Sequence, residues 1–369
     1  MDEEKLLEVK EDEQPKDVDS LIQTMRLLLG DRVEGKGGLP SLDEARREEL
    51  KQRSGWLGRL ALLAPDSDDQ AGREALIKPL LIIPIVMGIV LGTMGIFGLA
   101  GLVGIVVFII LALKGKVRHG FQASGRRGGL YAETFALWVL FFFGCQYLVK
   151  LAVEADMLTS KSGTTLSLVA FFLSLIILGW PVVRGVSFQQ VRQDIGWTTG
   201  RGVFRELFGG GFAGYAMALP ILGVGVGLTL LLLMIQEYLL PDAPSPSHPI
   251  QDMAASNNLL IIVQMYILGS IAAPIVEETF FRGVLYRHFR EFSRKWSLLL
   301  SVFASALASS LIFAGLHPQG LAVIPSLASL GIAFCLIREW RGSLLAPMFV
   351  HGFSNFLIIS LNFALFGAG

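Results

Sequence analysis

The stretch Leu80–Leu113, LLIIPIVMGIVLGTMGIFGLAGLVGIVVFIILAL, contains no charged residue. A helix needs about 20 apolar residues to cross the hydrocarbon core of a bilayer, so this stretch predicts membrane insertion. It is too long for one ordinary span. It forms either one long tilted helix or two short helices joined by a glycine-rich turn near Gly98–Gly101, and the loop charges described below favour two crossings.

The composition of the whole chain is typical of a membrane protein. Hydrophobic residues make up 53% of it and charged residues only 17%, with a mean hydropathy of +0.58, whereas soluble domains average roughly a quarter charged residues. The net charge is zero, so there is no basic excess to neutralise phosphates and we expect no nucleic-acid partner. Cys145 and Cys335 both fall in apolar segments, which gives no disulfide framework.

Further apolar segments of spanning length follow along the chain. The sequence therefore predicts an all-α fold, a polytopic transmembrane helical bundle with eight or nine membrane segments. This is an integral, multi-pass membrane protein, placed in the plasma membrane if the chain is bacterial. The segments after the first are Leu130–Val149, Thr165–Val183, Phe212–Ile235, Leu259–Val276, Leu298–Leu316, Leu321–Ile337 and Leu344–Phe366.

Composition also divides the chain into three regions. Residues 1–78 are polar and contain helical patterns, which predict a cytoplasmic N-terminal extension or, alternatively, a docking module for a partner or substrate. Residues 79–210 hold the early transmembrane segments. Residues 211–369 hold the later segments, where the polar residues of chemical interest are concentrated.

The charges of the loops predict an orientation, because cytoplasmic loops carry an excess of Lys and Arg. Lys114–Gly129, Val183–Phe208 and Arg287–Lys295 are basic and should be cytoplasmic, whereas Glu237–Asn258 contains acidic residues but no Lys or Arg and should lie outside. A cytoplasmic N-terminus then requires Leu80–Leu113 to cross the membrane twice.

Two adjacent glutamates interrupt the apolar pattern in IVEETFFRGVLYRHF, Ile275–Phe289. On a helix Glu278 and Arg282 share a face and can form an ion pair, whereas Glu277 is rotated by about 100° and has no local partner. Ionisable residues inside a membrane usually face the protein interior and mark a function. The alternative is that both glutamates mark a helix boundary at the surface.

Two histidines lie in similarly apolar surroundings. His317 ends the run SSLIFAGLH, and His351 lies in APMFVHGFSNF with Asn355 four residues later on the same helical face. A lone histidine of this kind is more often a packed core residue. Two of them, with an asparagine and an unpaired carboxylate, instead suggest a site.

These residue types suit hydrolysis without a covalent nucleophile. A carboxylate in an apolar site can act as a general base near neutral pH and, with a histidine, take a proton from water. A second histidine and an asparagine amide can donate hydrogen bonds to an oxyanion. The same groups, Glu277, His317 and His351, could alternatively bind zinc, although no H-E-x-x-H motif occurs.

Three motifs resemble a known family, the CPBP intramembrane proteases, which include type II CAAX prenyl endopeptidases and bacteriocin-processing or immunity relatives. EETFFR (Glu277–Arg282) is similar to the family's E-E-x-x-x-R motif. FAGLH (Phe313–His317) is similar to F-x-x-x-H, and HGFSN (His351–Asn355) to H-x-x-x-N. They occur in the family order, within about residues 211–366.

The resemblance implies a role for each residue. Glu277 would activate water together with His317, and His351 with Asn355 would form the oxyanion hole. The supporting residues would be Glu278 and Arg282, which hold the shape of the site, and Phe313, which packs behind His317. The implied mechanism uses no cofactor, with zinc as the alternative.

The depth of the site in the membrane raises a difficulty. If Leu259–Arg290 were one straight helix, Glu277 would lie near its cytoplasmic end. His317 would lie at the far end of the next segment, too far away to cooperate with Glu277. We therefore expect a break near Pro274, or a helix that does not cross fully, because irregular backbone is tolerated where it lines a cavity.

Together these features predict an intramembrane endopeptidase acting on a membrane-associated protein or peptide, possible substrates including prenylated CAAX proteins. The alternative is a non-proteolytic transporter or immunity scaffold that uses the same buried cluster for binding. Transporters often contain inverted repeats, and the segments show none. The expected partners are the substrate and the lipid bilayer.

Overall fold

The computed structural model describes residues 70–114, 116, 120–121, 128–240 and 259–366. Within these ranges no strand forms, and eight helices are long and apolar enough to cross a membrane. The predicted all-α, multi-pass bundle is therefore confirmed, with eight spans. Residues 1–69, most of the predicted N-terminal extension, lie outside the described residues. Ile89–Gly367 forms one compact unit and Met1–Gly88 belongs to another, so the predicted boundaries near 78 and 210 stay predictions.

The first helix, α1, is continuous from Gln70 to Leu113. The preference for two crossings is therefore wrong. Gly101 does not form a turn; it allows α1 to approach another helix, because a side chain there would collide with the carbonyl of Ala216. A single helix places its two ends on opposite sides of a span, so the loop-charge argument for a cytoplasmic N-terminal extension no longer holds.

The helices that follow α1 along the chain pack against the later helices. Helix α2 covers Leu130–Glu154, and α3 covers Ser160–Leu173 and continues through a 3-10 segment, Ser174–Gly179. Trp138 of α2 donates a hydrogen bond to Ser174 across 3.1 Å. The short helix α4, Phe188–Ile195, begins after the N-cap Ser187 and ends at Gly196, whose φ of 86° suits glycine.

The remaining helices contain the three motifs. Helix α5 covers Gly211–Leu239 and follows a π-helical turn. Helix α6 spans Leu259–Phe292 with two π-helical segments. The others are α7, Leu298–Gly315, α8, Ile324–Arg341, and α9, Leu345–Phe366.

An aromatic cluster fixes α6 between α2 and α7. The ring of Trp138 stacks on Phe280 with centroids 4.5 Å apart, and Phe281 meets Phe313 edge to face at 5.0 Å. All four rings are buried, and such pairs contribute about 0.5–1.5 kcal/mol beyond the burial of their area. Residues 278–285 of α6 are buried without exception, so the glutamate motif lies inside the bundle and not at its surface.

Buried ion pairs link two of the basic loops to each other and to the end of α8 at one end of the bundle. The loop before α2 also attaches there, because the N–H groups of Gly120 and Phe121 donate to the carbonyl of Glu339 at 3.0 and 3.1 Å. The three basic loops thus meet at one end; that this end is cytoplasmic stays a prediction. The ion pairs are Arg287–Asp194, Arg290–Glu339 and Arg341–Glu206.

Contact between α5 and α8 depends on a glycine, which gives a first prediction. A side chain at Gly225 would collide with Ser329 and with the carbonyl of Pro325, whereas one at Gly223 would meet nothing within 4 Å. We expect Gly225→Ala to lower the free energy of unfolding by about 1–3 kcal/mol, the usual cost of overpacking. The matched control Gly223→Ala should melt at the same temperature or slightly higher. Equal thermal stability of both variants in detergent would contradict this close contact.

Candidate functional site

The site is built around an irregular part of α6. The π-helical segments Leu268–Ala272 and Glu278–Leu285 flank one α-helical turn, Ala273–Glu277, which contains Pro274. Proline lacks an N–H group and disturbs the helix before it, and single π-helical turns are frequent at functional sites. The irregularity expected near Pro274 is thus present, as a change of helical pitch and not as a break.

Helix α9 compensates for this irregularity. The side-chain amide of Asn355 donates to the carbonyl of Gly269 at 2.8 Å, which satisfies a backbone acceptor within the first π segment. Gly352 lies so close to the carbonyl of Ser270 that any side chain would collide with it. Gly352 is therefore needed for α9 to approach α6 beside His351.

The first motif forms the ion pair that its spacing predicted. Arg282 Nη1 lies 2.9 Å from Glu278 Oε1, and both side chains are completely buried. The same Glu278 oxygen is 2.9 Å from His351 Nδ1. One buried carboxylate thus holds both the arginine of its own helix and the histidine of α9, 73 positions later.

Aromatic rings enclose this ion pair. The Arg282 guanidinium carbon lies 4.4 Å from the ring centroid of Phe313 and 4.9 Å from that of Phe334. The His351 imidazole stacks on Phe334, with centroids 5.0 Å apart. Rings can stabilise a desolvated cation through their negative faces. Phe334 belongs to none of the three motifs, and its position in α8 gave no sequence signal of this role.

Glu277 occupies the side of α6 that faces both histidines. Its Oε2 lies 4.0 Å from His317 Nε2 and 3.9 Å from His351 Nε2. The oxygen is buried and has no hydrogen-bond partner within the described residues, although the side chain as a whole keeps 15% exposure. A free carboxylate oxygen therefore lies between two imidazoles.

The other nitrogen of each imidazole is already bound. His317 Nδ1 lies 2.7 Å from the carbonyl of Phe313, which can only accept, and His351 Nδ1 contacts the Glu278 carboxylate. Both Nδ1 atoms are therefore assigned as donors, so the Nε2 atoms, which face Glu277, are free to exchange protons. Phe313 also packs edge to face on His317, with centroids 4.4 Å apart.

The distances between Glu277 and the two histidines distinguish a zinc site from a site that activates water without a metal. Tetrahedral zinc ligands at about 2.0–2.1 Å from the metal lie about 3.3–3.4 Å from one another, whereas here the nitrogen–oxygen distances are 3.9 and 4.0 Å. In the described part of the chain, no group of three His, Cys, Asp or Glu side chains is arranged to hold a metal ion. The three side chains as placed do not fit zinc. A polar gap of this size suits one bridging water molecule.

Six of the seven predicted site residues come together directly, namely Glu277, Glu278, Arg282, Phe313, His317 and His351. The seventh, Asn355, lies one turn beyond His351 and holds a backbone carbonyl. The expected difficulty with depth does not arise. Helix α6 continues well past Glu277 to Phe292, so α7, which returns along it, reaches the level of Glu277 at its far end.

The part of the chain that forms the site resembles a known protein family. A family model described as type II CAAX prenyl endopeptidase Rce1-like matches residues 259–357. An uncharacterized 24.3 kDa protein of Escherichia coli is 31% identical over 137 residues, which cover 36% of this chain and 56% of that protein. This chain thus matches little more than half of that relative's length. No solved structure matches the chain. The matched residues contain all three motifs, so the family resemblance predicted from them is confirmed.

The buried ion pair gives a second prediction. Glu278→Ala or Arg282→Ala leaves one charge buried without its partner, which costs about 3–5 kcal/mol, so both variants should melt at a clearly lower temperature in detergent. Lys150 and Glu154 provide the control, because they have the same spacing and lie 3.6 Å apart but are 67% and 57% exposed. Alanine at either control position should cost about 0–1 kcal/mol. A similar loss of stability at both pairs would contradict the special role of the buried one.

Proposed function

We propose that this protein is an intramembrane endopeptidase that hydrolyses a peptide bond with water activated by Glu277. The observation that carries the proposal is the free, buried oxygen of Glu277 between the Nε2 atoms of His317 and His351. The match to a CAAX endopeptidase family over residues 259–357 supports the same reaction class.

Glu277 and His317 are proposed to activate the water. A water molecule bridging Glu277 Oε2 and His317 Nε2 would give up a proton to this pair as its oxygen attacks the carbonyl carbon of the substrate. His317 is fixed for the task, because its Nδ1 is held by the carbonyl of Phe313. When the carbon–nitrogen bond breaks, the same proton passes to the leaving amine, and the acid–base pair returns to its starting state.

His351 and Asn355 are proposed to stabilise the oxyanion. His351 Nδ1 is held by the Glu278 carboxylate, so a hydrogen on its Nε2 is the donor proposed for the oxyanion. The amide nitrogen of Asn355 carries two hydrogens, one for Gly269 and a second for the oxyanion.

The substrate class follows from the location of the site. Glu277 lies within a membrane-spanning helix whose neighbouring residues are buried in the bundle, so a substrate must reach it from the membrane or from its surface. We propose a membrane-associated protein or peptide, and the family description makes a prenylated C-terminal CAAX segment the first candidate.

The proposed base gives a third prediction. Glu277→Gln keeps the shape of the side chain but removes its basic oxygen, so cleavage should fall by at least about 10²-fold, the lower range for loss of a general base. The measurement is release of the C-terminal peptide from a farnesylated CAAX peptide, and from an unprenylated membrane peptide, by protein reconstituted in liposomes. Glu154→Gln, an exposed glutamate in another span, is the control and should cleave normally. Normal cleavage by folded Glu277→Gln protein would overturn the role of this residue. If wild-type protein binds both peptides and cleaves neither, the binding-only alternative is favoured.

The metal-free mechanism gives a fourth prediction. Because the Nε2 and Oε2 atoms lie farther apart than zinc ligands do, purified protein should contain no stoichiometric zinc and should keep its activity in strong chelators. Elemental analysis measures the zinc content, and the cleavage assay with and without chelator measures whether activity depends on metal. One zinc per chain, with activity lost on chelation and restored by added metal, would contradict the mechanism but leave the proposed reaction class intact.

A further inference from the structure

A groove on the side of the bundle lies apart from the proposed catalytic residues. It has a volume of about 380 Å³ and is bounded by the last turns of α1, by α5 and by the end of α8. Apolar residues of α1 and α5 form its wall, among them Val107, Leu111 and Met217. Two basic residues, Lys116 and Arg201, lie at its mouth together with Trp340.

The packing of α1 on α5 explains why the groove exists. At Gly101 the two helices approach so closely that a side chain would collide with the Ala216 carbonyl, whereas a Cβ atom added at Gly104 would lie at an ordinary contact distance of 3.5 Å from Met217 Cγ. One to two turns farther along α1, at Val107 and Leu111, the space beside the helix is not filled. These two side chains are 48% and 39% exposed and belong to the span Leu91–Leu111, so the wall of the groove faces the hydrocarbon of the bilayer.

The charges at the mouth are uncompensated within the described residues. Lys116 and Arg201 are exposed, and neither side chain forms an ion pair there. The acid nearest to Arg201 along the chain is Glu206, and its carboxylate already has hydrogen-bond partners. It accepts two hydrogen bonds of 2.8 Å from Arg341 and one of 2.9 Å from the backbone N–H of Arg201. The two cations are thus available to an anion from outside the protein.

Trp340 marks the level of the membrane surface. It is half-buried at the end of α8, and the Arg341 guanidinium carbon lies 4.8 Å from its ring centroid. Tryptophan is enriched where hydrocarbon meets the headgroups. Lys116 follows the apolar span of α1 by a few residues, so one groove combines an apolar wall, a tryptophan and two cations, the chemistry that the acyl chain, the interfacial region and the headgroup of a phospholipid require.

We infer that this groove binds one anionic phospholipid. The headgroup phosphate contacts Lys116 and Arg201, the ester region lies at Trp340, and an acyl chain follows Val107, Leu111 and Met217. Basic residues at a membrane surface attract anionic lipids, which accounts for the charged mouth, and only a lipid also accounts for the apolar wall. The bound lipid would fill the space between α1 and α5, and the single negative charge of its phosphate would lie between the two cations.

Lipid binding to purified protein tests the inference. Detergent-solubilised protein is titrated with phosphatidylglycerol or phosphatidylcholine, and bound lipid is counted by native mass spectrometry. Wild-type protein should prefer one phosphatidylglycerol. The double variant Lys116→Gln/Arg201→Gln should weaken that binding by roughly 10–30-fold, the scale for removing two basic groups from a membrane surface. The control Lys114→Gln/Arg192→Gln removes one exposed cation from each of the same two loops and should bind as wild type does.

A second variant separates a lipid site from a simple anion site. Val107→Trp fills the apolar wall and leaves both cations in place, so it should also weaken phosphatidylglycerol binding, whereas excess inorganic phosphate should not displace the lipid from wild-type protein. Melting temperatures measured without added lipid check that all variants fold. Unchanged binding by the Lys116/Arg201 variant, or an equal loss in the control, would overturn the inference. So would full binding by Val107→Trp together with displacement by phosphate, which would indicate a site for free anions.

Discussion

The buried carboxylate of Glu278 is the contact on which the rest of the site depends. One of its oxygens holds Arg282 and His351, each at 2.9 Å. A fully buried carboxylate is costly unless it is paired and hydrogen-bonded. Glu278 has its ion pair with Arg282 of its own helix and its hydrogen bond with His351 of α9. The same contacts fix α9 against α6 and turn the second nitrogen of His351 toward Glu277. The adjacent glutamates thus differ in role because Glu278 Oε1 is held by Arg282 and His351, whereas Glu277 Oε2 faces the Nε2 atoms of His317 and His351.

The irregular helix and its neighbour form a second constraint. Two π-helical segments within α6 change the rotation of the helix around Pro274 and Glu277. In a membrane, an unsatisfied backbone group costs several kcal/mol, and the Asn355 amide satisfies one at the Gly269 carbonyl. Asn355 therefore supports the backbone that carries the proposed base. The proposed oxyanion role uses the other hydrogen of the same amide.

Charge is distributed unevenly along the bundle. At one end, buried arginines are paired with acids and hold the loops together, as Arg341 does with Glu206. Lys116 and Arg201 lie near that end but outside these pairs. The buried pairs fix the loops, whereas Lys116 and Arg201, which pair with no acid in the described part of the chain, remain for the inferred lipid headgroup. The same concentration of basic residues that predicted an orientation from sequence thus provides both internal pairing and the inferred lipid contact.

Local features were determined by the sequence itself. Apolar length predicted the spans, and helical periodicity predicted the Glu278–Arg282 pair, because partners four residues apart need only one helix to meet. The three motifs also identified the residues that surround Glu277. Sequence could not show that Gly101 allows close contact with α5 and does not form a turn, since glycine permits both. The predicted two crossings of Leu80–Leu113 were therefore wrong. The bond between Glu278 and His351, the stacking on Phe334 and the use of Asn355 as a backbone partner depend on how separate helices pack. These contacts join residues far apart in the chain, and only the tertiary structure decides them.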